Sequence, residues 1–371
     1  MPMNILYTNF HTSPGVGGHT AYITRLIQGL LPRHTISVAA PQSSALYRLA
    51  ERFDNVTTFA QAFPSKINKL PAAVKTLRCT LTANNFDIVH VNGTADHRMV
   101  MLALIGVKKR PFIVFTKHND HPVKSFGSML RARLGTDHTI AVCDYVARNL
   151  ENSHFAKNGI STVFNGVDTK YFSTPLQEKG NQISAALPQG KIILGSHAGT
   201  ADYKGWINIV RALALLSPDK AANFHVCIAG SMPSKTLLAE VERLNLNDQF
   251  SYVGHLEDVR PFLTSIDIGF VLSHRIETIS FACREMMAMS KPVIVSNHAG
   301  LPENVTHGID GWIVAPRDPQ GLAELLKEFL TEKYDFAAMS KAARRRSELF
   351  FGHEKFITFT ENVYEKLKLR K

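Results

Sequence analysis

Residues 277–294 read ETISFACREMMAMSKPVI, and no other stretch of the chain says more about its architecture. The stretch follows the apolar run 268–272 after a short loop, and it ends in the apolar run 292–296. The residues between predict a helix whose first turns hold Glu285. Strand, helix and strand in this order are typical of a parallel sheet with helices on both faces.

Strand and helix signals alternate in the same way over the rest of the chain. Helices are predicted near 20–31 and 97–105, and a last one spans about 355–369. The pattern restarts after 166–190, a stretch with Gly166, Pro175, Gly180 and Pro188 that we interpret as a linker. The predicted strands lie at 4–9, 36–40, 86–91, 111–116, 139–142, 191–196, 224–229, 250–253, 268–272, 292–296 and 312–314.

Two carboxylates separated by seven residues, Glu277 and Glu285, resemble the hallmark of the family-4 retaining glycosyltransferases. The resemblance continues through AGLPE at 299–303 and GIDG at 308–311, and it is looser in the N-terminal half. It implies the α/β GT-B fold, with two Rossmann-like domains facing across a cleft. Two surface glutamates that flank a buried helix are the alternative interpretation.

The resemblance also implies a division of the chain into domains. An acceptor-binding domain would span 1–168, with the C-terminal helix 355–371 packing back on it. A nucleotide-sugar-binding domain would span 169–354. Ligands of such folds bind at the C-terminal ends of the strands, so both domains would present their sites at those ends.

The resemblance gives each carboxylate a role. Glu277 would be catalytic and orient the transferred sugar, and Glu285 would hold the ribose. The helix between them begins near Ser280, where free N–H groups and the positive end of the helix dipole suit a diphosphate. Neither a metal nor a cofactor is implied. The expected donor-binding residues are Gly17, Gly18, Lys204, Gly254, Thr278, Ile279, Ser280 and Glu285.

Lys204 lies in GTADYKG, residues 199–205, after a predicted strand. The family pairs such a Lys with an Arg about five residues earlier, and the two cations hold the diphosphate through charge-assisted bonds. Lys204 matches, but Gly199 or Thr200 stands where the Arg would be. His197 and Arg275 are candidates for the missing cation. A solvated surface lysine is the alternative interpretation.

A glycine-rich loop, PGVGGHT at 14–20, separates the first strand from the first helix. Successive glycines let backbone N–H groups approach a ligand closely. The loop begins like the GxGxxG fingerprint of dinucleotide-binding proteins, but Thr20 replaces the last glycine, which argues against a nicotinamide enzyme. The resemblance implies that Gly17 and Gly18 contact the donor phosphates and the acceptor. A plain tight turn is the alternative.

His118 follows a buried strand in TKHNDH, residues 116–121. The family has a His at this place, near the reacting face of the donor sugar, so the resemblance makes His118 catalytic. His118 and His121 without a third ligand nearby are weak evidence for a metal. A hydrogen-bonded structural His is the alternative. His90, at the end of an earlier strand, is a weaker candidate for acceptor contact.

The charge of the chain is uneven. Residues 1–165 hold 18 Lys or Arg and 8 Asp or Glu, a net charge of +10, which leaves +1 of the total +11 for 166–371. The stretches 63–78 and 108–133 mix cations with large apolar residues, which is typical of a surface that contacts anionic lipid or an anionic glycan. A solvated basic face is the alternative. We see no nucleic-acid recognition motif and expect no nucleic-acid partner.

The 371 residues suit two domains, and a hydrophobic fraction of 45% is ordinary for globular proteins. Four dispersed cysteines favour neither disulfides nor a zinc site. The N-terminus lacks a signal peptide pattern, so we expect a cytoplasmic protein, at most peripheral at the inner membrane.

The sequence as a whole favours a retaining, metal-independent glycosyltransferase. It would move a sugar from a nucleotide diphosphate sugar, with a UDP-sugar favoured, to a glycan or lipid-linked anionic acceptor. The charge suits an acceptor in bacterial lipopolysaccharide or surface polysaccharide synthesis. A nucleotide-sugar 2-epimerase, a glycan phosphorylase or sugar-phosphate synthase, and a non-catalytic nucleotide-sugar sensor are the alternatives.

Overall fold

The structure is a computed structural model that describes residues 1–173, 183 and 186–370. The chain divides into two compact units, one of residues 1–166 with 353–371 and one of residues 167–352. Part of the predicted linker, including Pro175 and Gly180, lies outside the described residues.

The first unit is built on a seven-stranded parallel sheet with the order β3-β2-β1-β4-β5-β6-β7. Its strands are β1 (Asn4–Thr8), β2 (Thr35–Ala40), β3 (Val56–Ala60), β4 (Ile88–Val91), β5 (Phe112–Lys117), β6 (His138–Ala141) and β7 (Ile160–Thr162). Its helices are α1 (Gly18–Leu30), α2 (Ala45–Ala50), α3 (Leu70–Ala83), α4 (Thr94–Leu104), α5 (Phe126–Leu134) and α6 (Asp144–Glu151), together with a C-terminal helix at His353–Lys368.

The second unit repeats the plan with a six-stranded parallel sheet in the order β10-β9-β8-β11-β12-β13. Its strands are β8 (Ile192–Ser196), β9 (Phe224–Ile228), β10 (Phe250–Tyr252), β11 (Ile268–Val271), β12 (Val293–Ser296) and β13 (Gly311–Val314). Its helices are α7 (Ile207–Ala214), α8 (Pro218–Ala221), α9 (Lys235–Arg243), α10 (Arg260–Ser265), α11 (Phe281–Ala288), α12 (Pro319–Phe329) and α13 (Phe336–Phe351), so the C-terminal helix is α14.

The strand predictions are confirmed for every strand except β3 and β7, which the sequence analysis missed. The central strands are mostly apolar and buried on both faces because helices cover a parallel sheet on both sides. β3 and β7 are the two edges of the first sheet, and their residues are mostly half-buried. Threonine and serine are therefore tolerated there, and no apolar run marks these strands.

Helix α14 closes the first unit by packing on α1. A Cβ on Gly29 would lie 2.4 Å from the side chain of Ile357, so only a glycine lets the two helices approach this closely. Glu361 on α14 accepts hydrogen bonds from Arg33 at 3.0 and 2.8 Å. The hydroxyl groups of Tyr364 and Tyr7 lie 3.2 Å apart in the core. The last helix is thus part of the core around β1.

No helix in the described part of the chain is both long and apolar enough to cross a membrane.

Candidate active site

Lys204 and Glu277 form an ion pair in the second unit. The Nζ atom of Lys204 lies 2.8 Å from Oε2 of Glu277, and 18% and 11% of the two side chains are exposed. Ser273 also donates from its hydroxyl to the same carboxylate oxygen, at 3.4 Å. The two residues are 73 positions apart in the chain, so the fold brings two predicted site residues into direct contact.

A glycine allows the loop that carries Lys204 to reach the loop after β11. Gly205 has a φ of +70°, and a Cβ built on it would lie 2.1 Å from the backbone oxygen of Leu272. The N–H of His274 donates to the carbonyl oxygen of Tyr203 at 3.0 Å. A side chain at position 205 would push the two loops apart and would separate Lys204 from Glu277.

We expect Gly205→Ala to destabilise the second unit more than Gly190→Ala. The φ angles are +70° and +75°, so both alanines carry a strain of about 1 kcal/mol for the left-handed conformation. A Cβ at 190 meets nothing within 4 Å, whereas the Cβ at 205 overlaps a backbone oxygen and adds roughly 1–3 kcal/mol. Calorimetric unfolding measures both variants, and equal Tm values would contradict the expectation.

Glu285 faces His197 at the C-terminal end of β8. Nε2 of His197 lies 2.9 Å from Oε2 of Glu285, and 9% and 15% of the side chains are exposed. His197 directly follows β8, and Glu285 lies in the second turn of α11. His197 was one of two candidates for the missing phosphate cation, and the structure brings it against the predicted ribose carboxylate.

The loop between β11 and α11 ends in a capped helix N-terminus. The Ser280 hydroxyl oxygen accepts a hydrogen bond from the N–H of Cys283 at 3.3 Å, and Thr278 and Ile279 are buried just before it. Ile276 has a φ of +52°, which is strained for a β-branched residue. The loop therefore turns sharply between Arg275 and Glu277, and such strain is typical of ligand-binding loops.

The expected position of the missing Arg is a glycine loop. Gly199 has a φ of +105°, a conformation that residues with a side chain rarely adopt. A Cβ on Gly230 would lie 3.8 Å from Cα of Gly199, and the N–H of Gly230 donates to the oxygen of Gly254 at 2.8 Å. Three glycine loops thus meet at the C-terminal ends of β8, β9 and β10.

Arg275, the other candidate for the missing cation, is exposed. Its guanidinium carbon lies 5.8 Å from the ring centroid of Tyr203, and Nζ of Lys204 lies 5.6 Å from the same centroid. Two cations therefore approach one tyrosine ring in the second unit.

His118 lies at the C-terminal edge of the first sheet, directly after β5. Its Nε2 is 3.0 Å from Oδ1 of Asn92, which follows β4. Its ring centroid is 4.2 Å from that of His19 in the first turn of α1 and 4.6 Å from that of Tyr22. Gly18 begins α1 and, like Gly17 before it, is exposed. The glycine loop and His118 therefore belong to the same edge of this unit.

The other two histidines considered in the first unit have different surroundings. His90 is fully buried, with Nδ1 2.5 Å from the Tyr364 hydroxyl and Nε2 2.5 Å from Oγ1 of Thr116. Because protein groups engage both ring nitrogens, His90 has no ring nitrogen left for an acceptor. His121 is exposed, and the described residues include no group of three or more His, Cys, Asp or Glu that could hold a metal.

The sequence analysis did not single out Asn92 or His19, which contact His118. Their positions carried a signal, since Asn92 is the first residue after a predicted strand and His19 follows the glycine pair. Polar residues at such places are expected near a site on the sheet edge.

Buried histidines make the first unit sensitive to acid. Burial lowers the pKa of His19, His90 and His97 to about 3 and that of His138 to about 4. An unfolded chain binds these protons near pH 6.5, so their contribution to stability is present above that pH and is lost as the pH falls. Asp96 acts against this loss of stability at low pH, because burial raises the pKa of its carboxyl group to about 7.

We expect the Tm of the first unit to fall between pH 7.5 and pH 5. For fully buried His97, the uptake of a proton on unfolding costs about 2 kcal/mol of stability at pH 5. His97→Gln removes the contribution of this histidine to the pH dependence, so the Tm of the variant should depend less steeply on pH. Calorimetry at both values tests the prediction, which fails if wild type and variant lose the same Tm.

Two family models together match most of the chain. The model described as Glycosyl transferases group 1 matches residues 179–346, and the model described as Glycosyltransferase Family 4 matches residues 16–171. N-acetyl-alpha-D-glucosaminyl L-malate synthase of Bacillus anthracis is 24% identical over 289 residues, which are 76% of this chain and 74% of that protein. The capsular polysaccharide biosynthesis glycosyltransferase CapM of Staphylococcus aureus is 22% identical, over 61% of this chain and 60% of that protein.

The fold agrees with solved structures. The crystal structure of Anabaena Alr3699/HepE in complex with UDP superposes with a TM-score of 0.82 at 18% identity, and the match covers 98% of this chain and 100% of that chain. The two parallel-sheet units thus have the GT-B fold, as the sequence predicted. The chain belongs to the family-4, group 1 glycosyltransferases.

Proposed function

We propose that this glycosyltransferase moves a sugar from a UDP-sugar, with retention of configuration and without a metal. The acceptor would be a glycan or lipid-linked anion in bacterial lipopolysaccharide or surface polysaccharide synthesis. The observation that carries the proposal is the contact of Lys204 with Glu277 beside the capped start of α11. The names of the relatives support surface polysaccharides, and the UDP bound to HepE supports the donor.

The donor diphosphate would bind where positive groups converge in the second unit. Lys204 provides a largely enclosed cation, and the N-terminus of α11 provides the positive end of a helix dipole. Glu277 forms an ion pair with Lys204 at 2.8 Å. When a diphosphate accepts from Lys204, the Glu277 carboxylate becomes available to hydroxyl groups of the sugar.

Arg275 would supply the second cation. It lies two residues before Glu277, and it approaches the Tyr203 ring that Lys204 also approaches. Gly199, at the place of the family's Arg, carries no side chain and has a backbone conformation that disfavours one. The phosphate clamp of this chain would therefore take its second cation from the loop before α11, while Lys204 comes from the loop after β8.

Glu285 would accept hydrogen bonds from the ribose, and Gly254 would lie beside the base. His197 contacts Glu285 at 2.9 Å and would hold the carboxylate in one orientation. Thr278 and Ile279 would contribute their backbone to the diphosphate site. Gly17, Gly18 and His118 of the first unit would contact the donor and the acceptor.

The transfer would proceed by attack on the same face of the sugar. The bond between the anomeric carbon and the β-phosphate oxygen breaks, and a bond to the acceptor oxygen forms. The acceptor hydroxyl gives its proton to the departing phosphate oxygen, so no protein base is needed. Cations near the diphosphate stabilise the negative charge that grows on the leaving group.

The first unit would bind the anionic acceptor and an anionic membrane. Ile67 and Phe126 are 84% and 70% exposed, and lysines at 66, 69 and 124 lie next to them in the chain. A basic surface with exposed apolar residues suits anionic lipid. Co-sedimentation with phosphatidylglycerol vesicles, but not phosphatidylcholine vesicles, is the expected result. If equal amounts of protein co-sedimented with both kinds of vesicle, the proposed contact with an anionic membrane would be wrong.

A thermal-shift panel of UDP, GDP, ADP and their sugars tests the donor. We expect UDP and one UDP-sugar to raise the Tm most, because a ligand that binds only the folded state stabilises it. A larger shift with GDP or ADP would overturn the choice of base. Incubation with the selected nucleotide sugar alone then tests the epimerase alternative, since an epimerase converts the donor without an acceptor.

A further inference from the structure

Two buried cations of the first unit form no ion pair with any described residue. Only 7% of Lys117 and 8% of Arg131 is exposed. Nζ of Lys117 donates to Oδ1 of Asn119, and Nη2 of Arg131 donates to the Ser128 hydroxyl at 3.0 Å. Nε of Arg131 is buried and meets no hydrogen-bond acceptor in the part of the chain that the structure describes. Buried charges are normally paired, because they lose their hydration when they leave water.

Both cations lie on the same face of the first sheet. On β5, the hydroxyl of Thr116 is 3.1 Å from a tyrosine hydroxyl of α1, and successive side chains of a strand alternate between faces. Phe115 and Lys117 therefore point to the opposite face, where the ring of His97 on α4 lies 4.6 Å from that of Phe115. Nε2 of His97 is also 2.9 Å from the backbone oxygen of the residue that follows α5. Helix α5, which carries Arg131, thus packs beside α4 on the face to which Lys117 points.

The carboxylates near these cations do not cancel their charge. Burial lowers the pKa of Lys117 to about 8, while Asp120 opposes this shift and Arg131 adds to it. Burial also lowers the pKa of Arg131, and here Arg98 of α4 adds to the shift and Asp96 opposes it. Since burial raises the pKa of Asp96 to about 7, this carboxyl group is only partly ionised at neutral pH. Three cations therefore share fewer than two negative charges.

The guanidinium group of Arg131 lies against the first turn of its own helix. A Cβ on Gly127 would be 3.7 Å from Nη1 of Arg131, and Ser128 in the same turn accepts from Nη2. Side chains of a helix lean toward its N-terminus, which brings Arg131 back over this turn. The N-terminus carries the positive end of the helix dipole, where an anion is favourable and a cation is not. Two kinds of positive charge thus converge at the start of α5.

We propose that Arg98, Lys117 and Arg131, at the N-terminus of α5, form a binding site for a phosphate group of the acceptor. The inference rests on the proposed function, because it names the group that makes the acceptor anionic. A phosphate group carries about 1.5 to 2 negative charges at pH 7 and three acceptor oxygens, which suit cations that approach from separate elements. A planar carboxylate would be satisfied by one bidentate Arg. Lys117 directly precedes His118, so the site lies beside the proposed place of transfer.

Calorimetric titration of the full chain with inorganic phosphate tests the site. All titrations use the Lys204→Met background, which lacks the proposed diphosphate cation of the second unit. We expect saturable binding, and binding that is at least about tenfold weaker when Arg131→Met or Lys117→Met is added, because each removes a charge-assisted donor. Arg52→Met is the matched control. Arg52 is an exposed cation of the same unit, after α2, so its loss changes the net charge equally and should leave the affinity within about twofold.

The Tm separates a binding site from a structural role. Because the charge of Arg131 is buried without an ionic partner, Arg131→Met should keep or raise the Tm in phosphate-free buffer. Added phosphate should raise the Tm of the parent protein more than that of the variant. A lower Tm of both Arg131→Met and Lys117→Met without phosphate, or a failure of both to fold, would identify structural cations and overturn the proposal. An unchanged affinity for phosphate in either folded variant would overturn it as well.

Competition for the bound phosphate identifies its source. Glucose 1-phosphate is the probe for a soluble phosphorylated sugar, and phosphatidylcholine vesicles with a polyprenyl phosphate are the probe for a lipid carrier. Displacement by either supports the site and names the source, whereas displacement by neither would show a site for inorganic phosphate alone and overturn the assignment to the acceptor. If wild type does not bind UDP but phosphate binding depends on Arg131 as expected, the proposed function fails while the phosphate site stands.

Discussion

Glu277→Gln should lower kcat for sugar transfer by about 10²–10³-fold while the protein stays folded. Glutamine has the same shape, and its amide oxygen can still accept from Lys204, which lies 2.8 Å from Oε2 of Glu277. What the variant loses is the negative charge that would orient the sugar and balance positive charge in the transition state. Initial rates at a saturating concentration of the selected nucleotide sugar measure the effect.

Glu324→Gln is the matched control for this variant. Glu324 also pairs with a lysine, Lys327, at 2.8 Å, but this pair is on the surface of α12, with 57% of Glu324 exposed. An exposed pair contributes little to stability, so activity and Tm should stay close to those of wild type. If Glu277→Gln transferred sugar at more than half the wild-type rate, Glu277 would not be the catalytic carboxylate.

Lys204→Met should weaken the binding of the nucleoside diphosphate by about 10²-fold, because it removes an enclosed charge-assisted donor to phosphate. Methionine retains much of the apolar stem that packs near Gly199, where a Cβ would lie 3.5 Å from Cγ and Cε of Lys204. Calorimetric titration with the nucleoside diphosphate and with its nucleoside separates a lost phosphate contact from a disturbed loop. The affinity for the nucleoside should change little, since the nucleoside has no phosphate.

Two further variants make the Lys204 result specific. Lys327→Met breaks a lysine–glutamate pair of the same length on the surface and should leave both affinities unchanged. Arg275→Gln should weaken the binding of the diphosphate alone, by about tenfold, because a single exposed cation contributes less to binding than an enclosed one. Equal losses for nucleoside and diphosphate in Lys204→Met would indicate a disturbed loop instead of a lost phosphate contact.

Much of the fold was predictable because its central strands are buried on both faces. A strand such as β11 is then apolar along its whole length, and such runs are visible in the sequence. The edge strands β3 and β7 escaped prediction for the opposite reason. One side of each has no strand neighbour, so Thr57, Thr58, Ser161 and Thr162 are compatible with the position and leave no periodic signal.

The candidate site was predictable as a list of residues but not as a set of contacts. Local sequence placed Lys204 and Glu277 in loops that follow predicted strands, and Glu285 in the helix after Glu277, near the strand ends where parallel sheets bind ligands. It did not show that Lys204 pairs with Glu277, that His197 faces Glu285, or that Gly199 adopts a conformation that disfavours the expected Arg. Each of these depends on loops that are distant in the chain and adjacent in the sheet.

The order of the apolar runs and the spacing of the two glutamates are properties of the chain as written, and together with the motifs after them they were sufficient to predict the family and the fold class. The pairing partners of the site residues were not predictable from the sequence, because these contacts arise where separate strand ends meet. Asn92 and His118 are 26 positions apart, and only the neighbouring positions of β4 and β5 in the sheet bring the amide oxygen within 3.0 Å of the imidazole.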